Sequence, residues 1–421
     1  MMGYPQMMLP FVSLATALLV GRGLPTTAPR EVAMSAVRLE TVDRVVRRGV
    51  TAGAYPGAAV VIGRRGYAVW QKAYGRVDWS RTGRPVDVDA TIYDLASLTK
   101  VVATTTAAMI LVDEGTLDLD APIQRYLPEF TGPGKERVTV AHLLAHRSGL
   151  PAGIPVRRAD DAEAVRQRIL LAPLRATPGS TMLYSDLGPI LVGWAIEVIT
   201  GEPLDRFVTE RVFEPLGMAD TRFHPDGAVR ARIAPTELPV RGIVHDETAR
   251  TLGGVAGNAG LFSTATDLAI FAEMLLNGGT YGDVRIVSDS TVRRFTTPVG
   301  DARALGWEVA AGERGAGEFL SQRAFGHVGF TGTSLWIDPA RDLFVILLTN
   351  RVHAPRTRRA GVIIADVRHD VADAAALAVT DEPRLADVAW PRTFRTDMRL
   401  DWNPRRRVLD KRPTTRARGA E

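Results

Sequence analysis

The chain of 421 residues contains no cysteine, which excludes disulfides, thiolate catalysis and cysteine-ligated metal sites. Long apolar runs are also missing. Residues 7–20 and 101–112 are the most apolar stretches, and both fall short of the roughly 20 residues that a membrane-spanning helix needs. No Gly-x-Ser-x-Gly elbow, phosphate-binding loop or clean dinucleotide motif occurs, so the nucleotide-binding and α/β-hydrolase signatures are absent. Basic character is confined to one end. Of the formal net charge of +5, residues 405–421 supply all, with seven Arg/Lys against Asp410 and Glu421, so the preceding 404 residues sum to zero. Nothing in that balance asks for a nucleic-acid partner. The Pro-containing tail, residues 381–421, reads as a solvated terminus, with contact to an anionic envelope surface as the alternative.

What is present fits a globular chain with a large core: 46% of residues are hydrophobic and 24% charged. Residues 7–20 have the length of a signal-peptide apolar segment, so residues 1–30 read as a signal peptide or anchor and the protein as exported to the periplasm or cell envelope, with an uncleaved cytoplasmic start as the alternative. The match is incomplete at both ends. The first charge is Arg22, after the run rather than before it, and no clean small-x-small cleavage site follows. Helical spacing of Val32, Leu39, Val42, Val45 and Val46 predicts an amphipathic helix over 31–49 that packs on a sheet. Residues 57–63 and 67–74 flank Arg64-Arg65-Gly66 and read as a β-hairpin. Helices follow over 101–112, 139–147, 187–200, 205–213 and 266–276, with a glycine-rich loop at 253–260. Strands return at 306–310, 327–330, 332–338 and 343–349, and a last helix covers about 357–378. The expected fold is therefore α/β of the α+β type. Its antiparallel sheet is assembled from N- and C-terminal strands, flanked by helices, with an all-α insertion at about 110–300 inside a domain spanning 31–380.

Three clusters can carry chemistry. Ser97 and Lys100 stand three residues apart on one helix face, at the mouth of an uncharged run, which brings an amine to a hydroxyl near free backbone N–H groups. Desolvation would lower the Lys100 pKa toward a range where it accepts a proton. An N-cap serine beside an exposed lysine is the plainer alternative. Tyr184-Ser185-Asp186 precedes the apolar helix 187–200; the phenol can relay a proton, or Asp186 can simply cap the helix. His327-Val328-Gly329-Phe330 lies on a strand, where Gly329 admits a substrate backbone and the Phe330 N–H can join that of Ser97 as a two-donor oxyanion hole. His327 can orient a substrate carboxylate or carbonyl, or be a surface residue. Asn258 can donate to a substrate or cap its loop, and His245, Asp246 and Glu247 can line the cleft or form a surface turn. His142 and His146, at i and i+4, lack the glutamate of zinc proteases and read as structural. No metal or cofactor is expected.

In this order and at these separations, the three clusters resemble those of the serine β-lactamase-like, penicillin-recognising family. The nearest branch holds class C β-lactamases, D-alanyl-D-alanine carboxypeptidases and family VIII esterases. The similarity runs from about residue 40 to 380 and includes Leu143–Pro151, Phe213–Met218, Gly260–Ser263 and Phe330–Pro339. The resemblance implies that Ser97 is acylated, Lys100 is its partner, Tyr184 is the general base, and the Ser97 and Phe330 amides form the oxyanion hole. Asp186, His327, Gly329 and Asn258 would contact an ester, β-lactam or D-alanyl peptide. Two positions depart from the family's usual pattern: Asp186 stands where Asn is usual, and His327 where Lys is usual. A carboxylate at 186 favours a charged Lys100 and hence Tyr184 as base. A histidine at 327 makes carboxylate recognition weaker and pH-dependent, so ester hydrolysis is expected to exceed β-lactam hydrolysis. The competing expectation is a non-catalytic peptidoglycan- or peptide-binding module on the same fold.

Overall fold

Strand β1 (Gly57–Arg64) lies between β2 (Tyr67–Gly75) and a strand from the far end of the chain, β6 (Leu343–Thr349). Beyond β6 come β5 (Ser334–Asp338), β4 (Phe325–Val328) and the short edge strand β3 (Glu308–Val309), giving the order β2-β1-β6-β5-β4-β3 with every neighbour antiparallel. These coordinates are a computed structural model that describes residues 23–386 and 388, apart from 238–240, 301 and 311–315. The apolar segment at 7–20 and the basic end beyond 388 lie outside the described residues.

Both faces of the sheet are covered, and the period-2 geometry of a strand sorts its residues between them. Val60, Ile62, Val345 and Leu347 face α1 (Ala36–Thr51) and the C-terminal helix, while Ala59, Val61, Phe344, Ile346 and Leu348 join the larger core on the other side. Central strands buried on both faces are apolar throughout, which is why β1 and β6 read as unbroken hydrophobic runs. Each fully buried Val, Leu or Ile contributes about 1.5–3 kcal/mol. Helix α1 starts five residues later than its spacing predicts, because Pro29–Val32 forms a separate 3-10 turn and the Ser35 hydroxyl caps the helix by accepting from the Arg38 N–H.

Four further helices frame the site: α2 (Thr106–Asp113), α3 (Leu187–Thr200), α4 (Ala265–Leu276) and α5 (Ala360–Leu377). The run that reads as one plain helix from Ser97 is wound unevenly. Ala96–Leu98 forms a 3-10 turn, Lys100–Thr105 is π-helical, and only then does α2 begin. Threonine hydroxyls compete with the helical ladder here: Thr106 donates to the Val101 carbonyl and Thr104 to that of Gly257, while Thr99 accepts from the Leu261 N–H.

Candidate functional site

The segment Tyr93–Asp94 pairs with Phe262–Ser263 and carries the chain into the site. Ala96 then takes a left-handed conformation with φ 47°, a strained choice for a side chain with a Cβ, and Ser97 follows at the start of the helical run. The buried Asp94 carboxylate holds this turn by accepting from the Ala96 N–H at 2.8 Å and the His245 N–H at 2.7 Å. Burial raises its pKa to about 6, against those two hydrogen bonds.

Lys100 is 2% exposed, and its three ammonium hydrogens have three acceptors: Ser97 Oγ at 2.8 Å, Asp186 Oδ1 at 2.7 Å and the Asn258 carbonyl at 3.0 Å. Burial alone would depress its pKa, but the charges and hydrogen bonds of Tyr184 and Asp186 outweigh it, and the pKa lies above the ordinary lysine value. The expected depression is thus reversed. Asp186 does not cap α3; its side chain makes no capping bond there and goes to Lys100 instead.

The Tyr184 hydroxyl donates to Ser97 Oγ at 3.1 Å, so the serine oxygen lies between a phenol and an ammonium. Tyr184 stacks on His146 with ring centroids 4.4 Å apart. His146 is buried in a left-handed conformation, and its Nδ1 accepts the Ser185 N–H. Burial, together with Arg303 and Lys100, keeps it neutral by pushing its pKa well below the usual range.

The turn after β4 closes the site from the sheet side. Thr331 and Thr333 donate through their hydroxyls to the Asp94 and Leu95 carbonyls, at 2.7 and 3.0 Å. Gly329 sits so close that a Cβ would lie 2.4 Å from the Leu95 carbonyl oxygen, so a side chain there would force the two segments apart. Among the described residues the Phe330 N–H donates to no acceptor, and the Phe330 ring is 63% exposed, stacked against His245 at 5.6 Å. His327 is buried rather than on the surface. Its Nδ1 donates to the Val328 carbonyl at 2.9 Å, which leaves Nε2 as a buried lone pair without a partner. Burial, Arg303, Lys100 and His146 push its pKa well below the usual range. The expectation of a titrating cation at this position is therefore corrected: buried beside two cations and a second imidazole, the ring stays neutral.

Asn258 meets the site through its main chain. Its side-chain Nδ2 donates to Asp246 at 3.2 Å, and the glycine-rich loop around it presses onto the start of α3, where a Cβ on Gly257 would meet the Pro189 carbonyl at 1.9 Å. His142 takes part in the cap of the short helix Val140–Leu144, apart from His146 in role. Among the described residues, only His369, Asp370 and Asp373 bring ligand-type atoms within 4.8 Å of one another, and Asp373 already accepts from the Glu318 and Phe319 N–H groups.

Residues 42–368 match the beta-lactamase family. The chain belongs to that family. A protein of Escherichia coli O157:H7 with the provisional name D-alanyl-D-alanine carboxypeptidase is 36% identical over 376 residues, covering 79% of this chain and 86% of its own. A penicillin-binding protein homologue from Caulobacter crescentus superposes with a TM-score of 0.66 at 22% identity, covering 81% of this chain and 98% of the homologue. A family VIII carboxylesterase gives 0.62 at 22% identity, covering 80% and 98%. These two likenesses establish the fold, and family membership makes the chain a serine hydrolase.

In this beta-lactamase-family hydrolase, the residues that sequence reasoning overlooked are Asp94, Arg303 and the stacking role of His146. Arg303 lies with its guanidinium 5.2 Å from the Tyr184 ring centre and 3.9 Å from Glu308, and neither its Nε nor its Nη1 has a hydrogen-bond partner among the described residues. It belongs to no motif, so nothing local announced it. Asp94 could have been noticed as a carboxylate three residues before the serine.

Asp186 gives the site a testable pH response. Lys100 is held as a charged donor to Ser97, and Asp186 is one of the groups that raise its pKa against burial. Asp186→Asn removes that support, so Lys100 loses its proton at lower pH. The alkaline limb of the kcat/KM profile should therefore move toward neutrality. A profile unchanged up to pH ~10, where lysines ordinarily titrate, would separate Asp186 from the charge state of Lys100.

Proposed function

We propose that the enzyme hydrolyses carboxylic esters through an acyl-enzyme on Ser97. The observation that carries the reading is the serine Oγ held at 2.8 Å from Lys100 Nζ and 3.1 Å from the Tyr184 hydroxyl. With its three hydrogens engaged and its pKa raised, Lys100 is a donor. The base is then Tyr184: in the reacting form the hydrogen bond to Ser97 runs the other way, the phenolate oxygen accepting the serine hydrogen, taking that proton as Oγ attacks the carbonyl and returning it to the leaving alkoxide. The Ser97 and Phe330 N–H groups receive the oxyanion. Water then attacks the acyl carbon with Tyr184 again as base, and Ser97 is released.

The ester preference rests on His327. A neutral buried imidazole offers no cation to a substrate carboxylate at this position, while the exposed Phe330 ring offers an apolar rim. A second reading, a peptidase for D-alanyl peptides, is favoured by Arg303, whose unpartnered guanidinium nitrogens beside Tyr184 suit a carboxylate, and by the name of the Escherichia coli relative. The non-catalytic alternative has no such support, since the nucleophile and both its partners are assembled. Export to the cell envelope is part of the proposal, supported by the apolar segment at 7–20.

A substrate panel decides between the readings. Short-chain p-nitrophenyl esters should be turned over at least about tenfold faster than a chromogenic cephalosporin or a D-Ala-D-Ala peptide, since a missing charge partner costs about a factor of ten or more. Arg303→Gln should leave the esters within about threefold. Faster peptide turnover, lost in Arg303→Gln, would overturn the ester reading in favour of the peptidase.

A further inference from the structure

Behind the turn that carries Phe330, α5 delivers Arg368, a guanidinium with only 8% of its surface exposed. Its Nη2 donates to two main-chain carbonyls, Gly329 at 2.5 Å and Thr333 at 2.8 Å, and its Nε has no partner. The charged groups around it are Arg351, which is unfavourable, and Glu308, which is favourable. Burying a cation is costly, and two neutral carbonyls are a poor return if packing is the only purpose.

The choice of carbonyl is informative. Gly329 C=O and Phe330 N–H belong to one peptide group. A cationic donor on the oxygen draws density from the nitrogen side of the amide and makes the N–H a stronger donor, as in any hydrogen-bonded chain. The same contact fixes the rotation of the peptide plane, because Gly329 C=O also accepts from the Gly332 N–H at 3.1 Å while Gly329 N–H donates to Thr333 C=O at 2.8 Å. On the other side of Phe330, its own carbonyl accepts from Arg351 Nε at 3.0 Å. The N–H between these two held carbonyls is left without an acceptor among the described residues.

We infer that Arg368 is a positioning residue for the oxyanion hole: through the Gly329 carbonyl it orients and polarises the Phe330 N–H toward the developing negative charge on the substrate oxygen. This rests on the acyl-enzyme reading above. Arg368 touches no substrate, so its loss should act on kcat and on oxyanion mimics while ground-state binding is spared.

The test uses the full-length enzyme, a p-nitrophenyl ester and phenylboronic acid, whose anionic tetrahedral adduct with a serine places a boronate oxygen in the hole. Arg368→Gln should lower kcat by about ten- to a hundredfold, somewhat less than the 10²–10³ seen when a donor is removed outright, with KM within about threefold. The boronate inhibition constant should rise by a similar factor. Arg368→Lys, which keeps a charge but not the two-carbonyl geometry, should fall between wild type and Arg368→Gln, and it decides the matter if the glutamine variant does not fold. Wild-type kcat in either folded variant would overturn the inference, as would a loss confined to KM or a boronate affinity that does not follow kcat. If wild type itself neither turns over the ester nor forms a Ser97 adduct, the acyl-enzyme reading fails, an outcome distinct from the others.

Discussion

Ser97→Ala should reduce ester turnover by at least about 10⁴-fold, since removing a serine nucleophile that works as a unit with its base leaves only the binding and oxyanion contributions. Among the described residues the Oγ is the one side-chain oxygen hydrogen-bonded to both Lys100 and Tyr184, and no second hydroxyl takes its place between them. Intact-mass spectrometry supplies the direct readout. Wild type treated with a slowly hydrolysed ester or a penicillin should gain the acyl mass at Ser97, and the alanine variant should not. Residual turnover within about tenfold of wild type would show that the chemistry lies elsewhere on the molecule. Folding is not at stake in this substitution. The lost hydroxyl is small, and the turn around it is held by Asp94 and by the Thr331 and Thr333 hydroxyls.

Tyr184→Phe has the second largest expected effect, a loss of about 10²–10⁴ in kcat, the usual contribution of a general base. The ring contacts with His146, Lys100 and Arg303 survive in phenylalanine, so KM should change little and the loss can be assigned to the hydroxyl. The outcome bears directly on Lys100. Were the amine the proton acceptor, Tyr184→Phe would remain within a few-fold of wild type. The phenylalanine variant should instead retain a Ser97 that is slow in both acylation and deacylation, because one phenol serves both steps. Stopped-flow measurement of the burst and of the steady state separates the two.

The geometry also explains why the departures at 186 and 327 have different consequences. Asp186 stands at 2.7 Å from Lys100, where with Tyr184 it raises the pKa of the amine against burial. His327 is buried and neutral among Arg303, Lys100 and His146. On the proposed mechanism the first departure acts on the proton transfer, and the second on which substrates are held. Arg303, 5.2 Å from the Tyr184 ring centre, is contributed by a loop rather than by the strand that carries His327.

Much of this architecture can be read from local pattern. The continuous apolar runs of β1 and β6, the helical spacing within α1, and the Ser97–Lys100 interval each depend on residues near one another in the chain, where the periods of strand and helix govern which side chains share a face. Strands at both ends with helices between them suffice to imply a composite sheet, and the three clusters pointed to the family. Protonation is different. The state of Lys100 is decided by burial and by Tyr184 and Asp186, which come from a different part of the chain. Spacing along one helix places an amine by a hydroxyl but says nothing of which distant charges surround it. His327 on a strand is compatible with a surface or a buried ring, and only the packing of the described fold buries it. Arg303 and Arg368 belong to no motif, and their positions beside Tyr184 and Gly329 arise from how a loop and the C-terminal helix pack against the sheet. Local pattern was enough for the sheet, the main helices and the serine with its lysine. The tertiary structure decided which of those groups are charged, because a pKa depends on burial and on charges brought close by folding rather than on the local run of residues.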